Sequence, residues 1–105
     1  MIIYSESFHV EHTIEKDWIQ WFKEVYIPKI YQTQKFKKSV FTKVISHPEE
    51  TGNTYSIQLY ADTKEKLNEY YKEDSQEVHQ LIFSRFGNQI LSFKTELEVI
   101  EVFDF

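Results

Sequence analysis

Cysteine is absent from this 105-residue sequence, and glycine and proline occur only twice each. Without cysteine there is no disulfide, no thiolate nucleophile and no cysteine-based zinc or iron–sulfur site. So few glycines and prolines favour continuous helices and strands over disordered or low-complexity chain. The length is typical of one domain, so we expect residues 1–105 to form a single domain.

Long apolar runs and extended basic patches are also missing. No apolar run approaches the roughly 20 residues that span a bilayer, and residues 1–6 lack the basic and apolar regions of a signal peptide. The net charge is −5, and the only basic cluster, Lys35, Lys37 and Lys38, is short, whereas nucleic-acid backbones are bound by many lysines and arginines. We therefore expect a cytoplasmic protein that binds neither membranes nor nucleic acid.

Aromatic residues are abundant, at 17% of the chain, with 9 Phe and 7 Tyr. Each can remove roughly 150–250 Å² from water, so the chain carries a heavy apolar load. A domain this small buries only about two-thirds of its unfolded surface. It therefore gains stability by hiding more surface in a partner subunit.

The densest apolar stretch, residues 18–28, contains both tryptophans. Apolar side chains recur there every three or four residues, which predicts a helix over residues 15–31 that lays a wide stripe on a sheet. Thr13 is the candidate N-cap. Pro28 lacks an N–H and crowds the preceding turn, so we expect a kink or break there. The stripe comprises Trp18, Ile19, Trp21, Phe22, Val25, Tyr26 and Ile30.

Alternating apolar and polar residues predict strands over residues 2–10, 39–46, 54–61 and 89–103. In the first strand Glu6 interrupts an otherwise apolar face. The turn-forming stretch 47–53 makes the second and third strands an antiparallel hairpin. The last strand is long enough to overhang its neighbours, and such an overhang needs a partner. Its apolar face has Leu91, Phe93, Leu97 and Val99, and its polar face has Lys94, Glu96 and Glu98.

A second helix is predicted between the third and fourth strands. Asp62 or Thr63 caps its start, and Gly87 ends it because glycine tolerates the left-handed conformation of a helix C-terminus. Residues 72–77 are polar all round. They predict either a break near Asp74 or one bent helix.

The resulting βαββαβ order predicts an α+β, ferredoxin-like fold: a four-stranded antiparallel sheet with two helices on one face. The other face carries Ser56, Gln58 and Tyr60, together with either the Val40-Thr42-Val44 set or the Phe41-Lys43-Ile45 set. A face of that kind is too apolar to sit comfortably in water. We therefore predict a two-fold homodimer through the open sheet face.

The sequence also resembles a bacterial domain-of-unknown-function family, DUF4286. The resemblance covers nearly the whole chain and implies a dimeric α/β barrel related to the antibiotic-biosynthesis monooxygenases. That superfamily includes cofactor-free oxygenases, haem-degrading enzymes, dehalogenating decyclases and proteins with no known chemistry, so membership does not select an activity. The motifs that carry the resemblance are Met1-Ile2-Ile3-Tyr4, Trp18-x-x-Trp21, Tyr26-Ile27-Pro28, Thr54-Tyr55-Ser56-Ile57-Gln58, Tyr70-Tyr71, Arg85-Phe86-Gly87 and Phe93-x-Thr95-Glu96-Leu97-Glu98-Val99-Ile100.

One position departs from the family pattern, which has His-Ile-Pro where this chain has Tyr26-Ile27-Pro28. A histidine there would suit a general base or a metal or haem ligand. Tyrosine, with a reference pKa of about 10, is a poor base at neutral pH. If the family's chemistry uses that histidine, this chain has lost it.

A pocket between the first helix and the sheet is the candidate small-molecule site, because such sites combine apolar walls with a few convergent polar groups. The alternative is that these aromatic side chains only fill the core, which a short chain needs for stability. No catalytic residue, metal site or cofactor is predicted. The pocket candidates are Trp21, Tyr26, Tyr55, Gln58, Tyr60 and Tyr71.

Other polar residues have simpler interpretations. In His9-Val10-Glu11-His12 only His9 and Glu11 share a strand face, and two ligands do not make a metal site. His79 is expected on the helix surface. Glu96 and Glu98 share a strand face and could form an acid–base pair, but a charged rim that discourages aggregation is the plainer interpretation.

Two functions remain open. The first is a non-enzymatic dimeric module that binds a small aromatic or apolar ligand or a protein partner. The second is a cofactor-free or haem-using enzyme of the monooxygenase-like superfamily. The first is favoured because no base with a neutral-range pKa lies on the first helix. An enzyme should contain a hydrated cavity of a few hundred Å³, whereas a module should have that space filled by side chains.

Overall fold

The computed structural model describes residues 1–46 and 50–105 and contains one four-stranded sheet in the order β2-β3-β1-β4. Every neighbouring pair of strands is antiparallel. This order, with the helices that follow β1 and β3, confirms the predicted ferredoxin-like fold. The strands are β1 (Ile2–Glu11), β2 (Lys38–Lys43), β3 (Gly52–Ala61) and β4 (Ile90–Glu98).

Each predicted helix is divided into two. The first comprises α1 (Glu15–Trp21) and α2 (Ile27–Thr33), joined by a π-helical segment, Phe22–Tyr26. The second comprises α3 (Lys64–Glu73) and α4 (Ser75–Phe86). The break lies at Asp74, as predicted, where φ is −128°. Short 3-10 turns, His12–Ile14 and Gly87–Gln89, precede α1 and follow α4.

The first helix buries one narrow row of side chains at four-residue spacing: Trp18, Phe22, Tyr26 and Ile30. Val25, which the sequence placed in the stripe, is 37% exposed. In the π-helical segment the N–H of Ile27 donates to the carbonyl of Phe22, five residues back. Pro28 then lies in the first turn of α2, where a missing N–H costs little. The irregularity expected at Pro28 is therefore a π-turn just before it.

Two of the three predicted helix caps are confirmed. Thr63 precedes α3, and its side-chain oxygen accepts from the N–H of Lys66 at 3.2 Å. Gly87 follows α4 with φ of +58°. The Thr13 prediction was wrong: Ile14 is the N-cap of α1, and no side chain caps that end, because Thr13 lies within the 3-10 turn.

The hairpin strands differ from the predicted bounds. β2 ends at Lys43 instead of Ser46, and β3 begins at Gly52, two residues early. Gly52 pairs with Glu11, and a Cβ there would lie 2.0 Å from the carbonyl oxygen of Val10. Only glycine permits this approach of the two strands. Residues 47–49 of the predicted turn lie outside the described residues.

The last strand is shorter than predicted. β4 ends at Glu98 instead of Phe103. Glu98 pairs with Ile2, the first residue of β1, and the N–H of Val99 donates to the carbonyl of Met1 at 3.0 Å. Beyond this point no neighbouring strand is paired with the chain, so the regular ladder stops.

The core lies between the helices and the sheet face that they cover, which we call the helix face. On β1 the buried side chains alternate strictly, Tyr4, Glu6, Phe8 and Val10. No helix in the described ranges is long and apolar enough to cross a membrane. The other apolar core residues are Trp18, Phe22, Tyr26, Ile30, Tyr55, Ile57, Leu59, Ala61, Leu67, Tyr70, Val78 and Phe86.

Candidate functional site

Glu6 is a carboxylate buried on the helix face of the central strand β1, with 3% of its surface exposed. Burying a charge is costly unless it is hydrogen-bonded or paired. Oε1 accepts a hydrogen bond of 2.7 Å from the hydroxyl of Tyr4, and Oε2 lies 3.8 Å from Nε2 of His79. Side chains from two elements, β1 and α4, therefore hold this carboxylate in the interior.

Four tyrosines surround this carboxylate, and burial raises the pKa of each. The pKa values of Tyr4, Tyr26 and Tyr70 lie well above the usual range, with the charge of Glu6 as a further cause. Burial and then Glu96 raise the pKa of Tyr71 to about 12. All four hydroxyls are therefore protonated at neutral pH and available as donors. We call Tyr4, Glu6, Tyr26, Tyr70, Tyr71 and His79 the Glu6 cluster.

Three of these hydroxyls have unused hydrogen-bonding capacity. The hydroxyls of Tyr26, Tyr70 and Tyr71 are buried and have no hydrogen-bond partner among the described residues. Buried polar groups are nearly always paired in folded proteins, and an exception calls for an explanation such as a bound molecule or a catalytic function. Unpaired donors around a buried carboxylate are the main functional signal in this structure.

The π-helical segment positions Tyr26 in this cluster. π-turns are rare and are frequent at functional sites. Here the segment ends at Tyr26, whose ring stacks on Phe22 at a centroid distance of 4.3 Å. Tyr26 thus lies in the interior, with 1% of its surface exposed.

The break between α3 and α4 positions the other side of the cluster. Tyr70 and Tyr71 lie on the last turns of α3, whereas His79 lies on α4. Lys35 holds this junction, with Nζ 2.8 Å from Glu73 and 3.1 Å from Asp74. The Lys35 ammonium lowers the pKa of Glu73 through this hydrogen bond.

The Glu6 cluster reaches solvent on the side of β4. The side chain of His79 is 44% exposed, and Nζ of Lys94, the cross-strand neighbour of Glu6, lies 4.4 Å from the ring centroid of Tyr71. Glu6 raises the pKa of His79 above its ordinary value, and the partly exposed imidazole can exchange protons with solvent. The arrangement combines an acceptor, protonated phenols and a titratable ring, which suits hydrogen-bonding recognition and proton transfer.

The six predicted pocket residues do not share one pocket. Tyr26 and Tyr71 belong to the Glu6 cluster. Trp21 packs edge-on against Phe86 at 5.2 Å. The hydroxyl of Tyr55 donates to Oε2 of Glu15 at 2.5 Å, a carboxylate that also accepts from Asn53.

Gln58 and Tyr60 lie on the opposite face of the sheet. Nε2 of Gln58 donates to the hydroxyl of Ser56 at 3.1 Å, and Nζ of Lys38 lies 5.2 Å from the ring centroid of Tyr60. Because side chains alternate along β3, residues 58 and 60 cannot join residue 55 on the helix face. This corrects the predicted grouping of these residues with the first helix.

That opposite face, which we call the open face, carries few charges. On β2 it presents Val40 and Thr42, so the Val40-Thr42-Val44 alternative was the correct one, and Phe41 lies on the helix face against Trp18. Among the open-face strand residues of the described chain, only Glu11 on β1 and Lys38 on β2 are of the Asp, Glu, Lys or Arg type. The other open-face residues include Ile3, Ser5, Ser7, His9, Thr54, Ser56, Gln58, Tyr60, Leu91, Phe93, Thr95 and Leu97.

The charge distribution on β4 is inverted relative to an ordinary surface strand. Its charged residues, Lys94, Glu96 and Glu98, lie on the helix face, where Glu96 pairs with Lys64. Its apolar residues, Leu91 and Phe93, lie on the open face and are 61% and 73% exposed. A cleft of about 290 Å³ opens beside them and is lined by Ser7, His9, Thr54, Leu91 and Phe93.

The described residues contain no cluster of metal ligands, and aromatic rings occupy the space beside Tyr26. No three His, Asp or Glu side chains within residues 1–46 and 50–105 come together as a metal site. His9 contacts the hydroxyl of Thr51 at 3.3 Å and His12 the carboxylate of Glu15 at 3.5 Å. The rings of Phe22 and Phe8 lie 4.3 and 6.3 Å from that of Tyr26, which leaves no layer for a porphyrin beside it.

Sequence reasoning missed Glu6 and His79, along with Tyr4 and Tyr70. The prediction that His79 lies on the helix surface is confirmed, since its side chain is 44% exposed. What the sequence missed is its contact with Glu6, because that partner lies on a distant strand. The signal for Glu6 was present: a carboxylate interrupted an otherwise apolar strand face. A charge at a core position either breaks the pattern or is held there for a function.

Comparisons with solved structures identify the same fold. A Deinococcus radiodurans protein described provisionally as an antibiotic biosynthesis monooxygenase superposes with a TM-score of 0.74 at 13% identity, over 100% of this chain and 98% of that one. SnoaB, a cofactor-independent oxygenase from Streptomyces nogalater, gives a TM-score of 0.66 at 7% identity, over 96% and 95% of the two chains. The de novo designed protein Foldit4 gives 0.64 at 7% identity, over 93% and 97%. Since a designed protein superposes nearly as well as SnoaB does, this likeness shows the fold alone.

Comparison of sequences identifies the family, although no curated protein matches this chain significantly. The family profile for the domain of unknown function DUF4286 matches residues 1–100, nearly the whole chain. The chain therefore belongs to the DUF4286 family, on the ferredoxin-like fold shared with antibiotic-biosynthesis monooxygenases.

Proposed function

We propose that this protein is a homodimeric binding module in which each subunit holds a small ligand in the Glu6 cluster. The observation that carries the proposal is the buried Glu6 carboxylate beside the unpaired hydroxyls of Tyr26 and Tyr70. Partly satisfied polar groups in a dry interior are costly. A ligand that pairs with them recovers that cost on binding.

The cluster suits a compact aromatic ligand with an N–H or O–H group. The carboxylate of Glu6 supplies acceptor positions beyond the one that Tyr4 uses. The walls are aromatic: Tyr4 and Tyr70 lie edge to face at 5.8 Å, and Tyr70 and Tyr71 are 6.0 Å apart. Access lies past His79 and Tyr71, the members of the cluster that reach solvent, and their side chains move to admit a ligand.

Of the six residues that the sequence singled out, we propose Tyr26 and Tyr71 as ligand contacts. Trp21, Tyr55, Gln58 and Tyr60 stay predictions as binding residues. A cytoplasmic location also stays a prediction, and the absence of cysteine is compatible with it.

The inverted charge of β4 supports the homodimer. A strand whose open face met water would carry its lysines and glutamates there, yet Leu91, Phe93 and Leu97 occupy that face. Two sheets packed face to face across a two-fold axis would bury these apolar residues without burying an ion pair.

The expected interface area is modest. Four strands about 4.8 Å apart and roughly 30 Å long present about 500–600 Å² a side. Two such faces bury about 1,000–1,200 Å², which is at the lower limit for a specific interface. The open face alone therefore supports a marginal dimer.

Ligand-observed NMR with a panel of phenols and aromatic amines tests the binding proposal. At least one probe is expected to bind the wild-type protein, to lose binding in Glu6→Gln and to keep it in Glu77→Gln. Glu77 is a matched control because it is a glutamate on α4 that pairs with Lys29 at the surface. Failure of every probe to bind, or equal binding to both variants, would overturn the proposal.

Light scattering at micromolar concentration tests the dimer. The wild-type mass is expected to be that of two chains, and Phe93→Lys is expected to yield monomers because it buries a charge in the open face. Glu98→Lys places the same side chain on the other face of β4 and should leave the dimer intact. A monomeric wild-type mass contradicts the proposal.

A second candidate function, a cofactor-free enzyme, is favoured by the contact between Glu6 and His79. Glu6 would accept a proton from an acidic O–H or C–H of the substrate, and His79 would exchange it with solvent. A panel of phenolic substrates monitored for turnover tests this. Activity that is lost in both Glu6→Gln and His79→Gln supports the enzyme. Binding without turnover supports the non-enzymatic binding module instead.

A further inference from the structure

The segment that follows β4, residues 99–105, exposes a run of apolar side chains. Ile100, Val102 and Phe103 are 86%, 72% and 70% exposed, so their own subunit does not cover them. Glu101 lies between Ile100 and Val102, and Asp104 lies between Phe103 and Phe105. We call this apolar and acidic stretch the exit segment.

A cleft of opposite charge lies at the start of β2. Its volume is about 260 Å³, and Tyr31 at its wall is 76% exposed. Lys38 reaches over Tyr60 at 5.2 Å, and Lys37 pairs with Asp62 at 2.9 Å. The full lining is Ile27, Ile30, Tyr31, Phe36, Lys37, Lys38 and Ser39. We call this apolar and basic feature the β2 cleft.

The sheet register places these two features at the same end of the sheet but at opposite edges. Leu97 pairs with Ile3, Ile3 pairs with Tyr60, and Tyr60 pairs with Lys38. With three spacings of about 4.8 Å between neighbouring strands, the two edges are about 14 Å apart.

In a face-to-face dimer whose two-fold axis runs parallel to the strands, these two features would meet between subunits. Such a rotation exchanges the two edges of the stacked sheets and preserves their ends. The end of β4 then lies opposite the start of β2 in the second copy. Packed sheets are about 10 Å apart, and seven extended residues reach about 23 Å, so the exit segment is long enough to reach that cleft.

We propose that the exit segment of one subunit docks in the β2 cleft of the other, and that the exchange is reciprocal. Its apolar residues lie against the partner's Tyr31 and the partner's Phe36, and its carboxylates lie beside the partner's Lys37 and the partner's Lys38. The proposal rests on the homodimer proposed above. This docking also adds the interface area that the open face alone lacks. It covers the exposed apolar side chains of both the exit segment and the β2 cleft.

Single thiols test the docking, because the chain has no cysteine of its own. Full-length Val102→Cys and Ser39→Cys variants, carrying tags of different size, are mixed, left to exchange subunits and oxidised. A covalent heterodimer on a non-reducing gel is expected. Ser84→Cys, an exposed serine on α4, replaces Ser39→Cys as the matched control and should not form the cross-link.

The other outcomes separate this proposal from the dimer itself. A dimeric mass without the cross-link, or equal cross-linking to the Ser84→Cys control, overturns the docking and leaves the dimer. If Val102→Cys and Ser39→Cys in one chain close within that chain, the segment docks on its own subunit and the exchange is wrong. A monomeric mass overturns both proposals.

Discussion

Nε2 of His79 on α4 lies 3.8 Å from Oε2 of Glu6 on β1. Glu6 is the only buried charged side chain among the residues that the structure describes. Its carboxylate raises the pKa of His79, with the backbone at Ser75 acting in the same direction, while burial of the ring and Lys94 oppose the shift. A helix and the central strand are thus joined by a contact whose strength depends on the protonation of His79.

The stability contributed by this contact should fall as the pH rises. A folded-state pKa raised above the unfolded value of about 6.5 gives full stabilisation below pH 6.5, which is lost as the pH passes the folded-state pKa. We expect His79→Gln to lower the free energy of unfolding by up to about 1 kcal/mol at pH 6 and by less at pH 8.5, measured in urea. Combining it with Glu6→Gln should show coupling only at pH 6. Equal losses at both pH values would mean that His79 acts by packing alone.

The two tryptophans should differ in their contribution to stability. Trp18 is fully buried, so Trp18→Ala should cost about 3–5 kcal/mol of unfolding free energy. Trp21 is only partly buried and packs at the edge of the core, against Phe86, so Trp21→Ala should cost less than half as much. Urea unfolding followed by circular dichroism measures both. The reverse order would contradict the placement of α1 on the sheet.

The hydrogen bond from Tyr55 to Glu15 should stabilise the protein at neutral pH and not in acid. The bonds from Tyr55 and Asn53 lower the pKa of Glu15, so their contribution is present above the unfolded value of about 4.3 and is lost as the pH falls through the folded-state pKa. Tyr55→Phe should cost about 1.5–3 kcal/mol at pH 7. The difference from wild type should shrink at pH 3. A difference that persists at pH 3 would show that the carboxylate is not the partner that matters.

Gly52→Ala should be destabilising out of proportion to its size. The added methyl would lie 2.0 Å from the carbonyl oxygen of Val10, so β1 and β3 must separate, at a cost of about 1–3 kcal/mol. Thr54→Ala, on the same strand, removes atoms on the open face and serves as the control. Thermal unfolding compares the two. A Gly52→Ala variant as stable as wild type would mean that β3 does not approach β1 at this point.

Local chemistry determined most of the elements. Thr63 and Gly87 bound the second helix where the sequence placed them, because a capping hydroxyl and a positive φ depend on neighbours a few residues away. The polar stretch around Asp74 predicted the break in the same way. The alternation of β1 likewise separated its two faces correctly. These features need only the order of residues along the chain.

The end of β4 and the composition of the site needed the folded chain. A strand continues only while a neighbour supplies hydrogen bonds, and β1 offers β4 partners only as far as Ile2, opposite Glu98. The apolar sequence after Glu98 therefore could not predict where the strand stops. Alternation along β3 already sets Tyr55 and Gln58 on opposite faces. The contact between His79 and Glu6, in contrast, needed the packing of α4 on β1.

The amino-acid order by itself determined the βαββαβ succession, the aromatic core and the uncharged stripe of β4, since each follows from side-chain type and spacing. Only the tertiary structure decided that this stripe faces away from the helices, and that Glu6 meets His79, 73 positions along the chain. The physical reason is that burial and charge pairing are set by whichever element packs opposite a residue, and that element is distant in sequence.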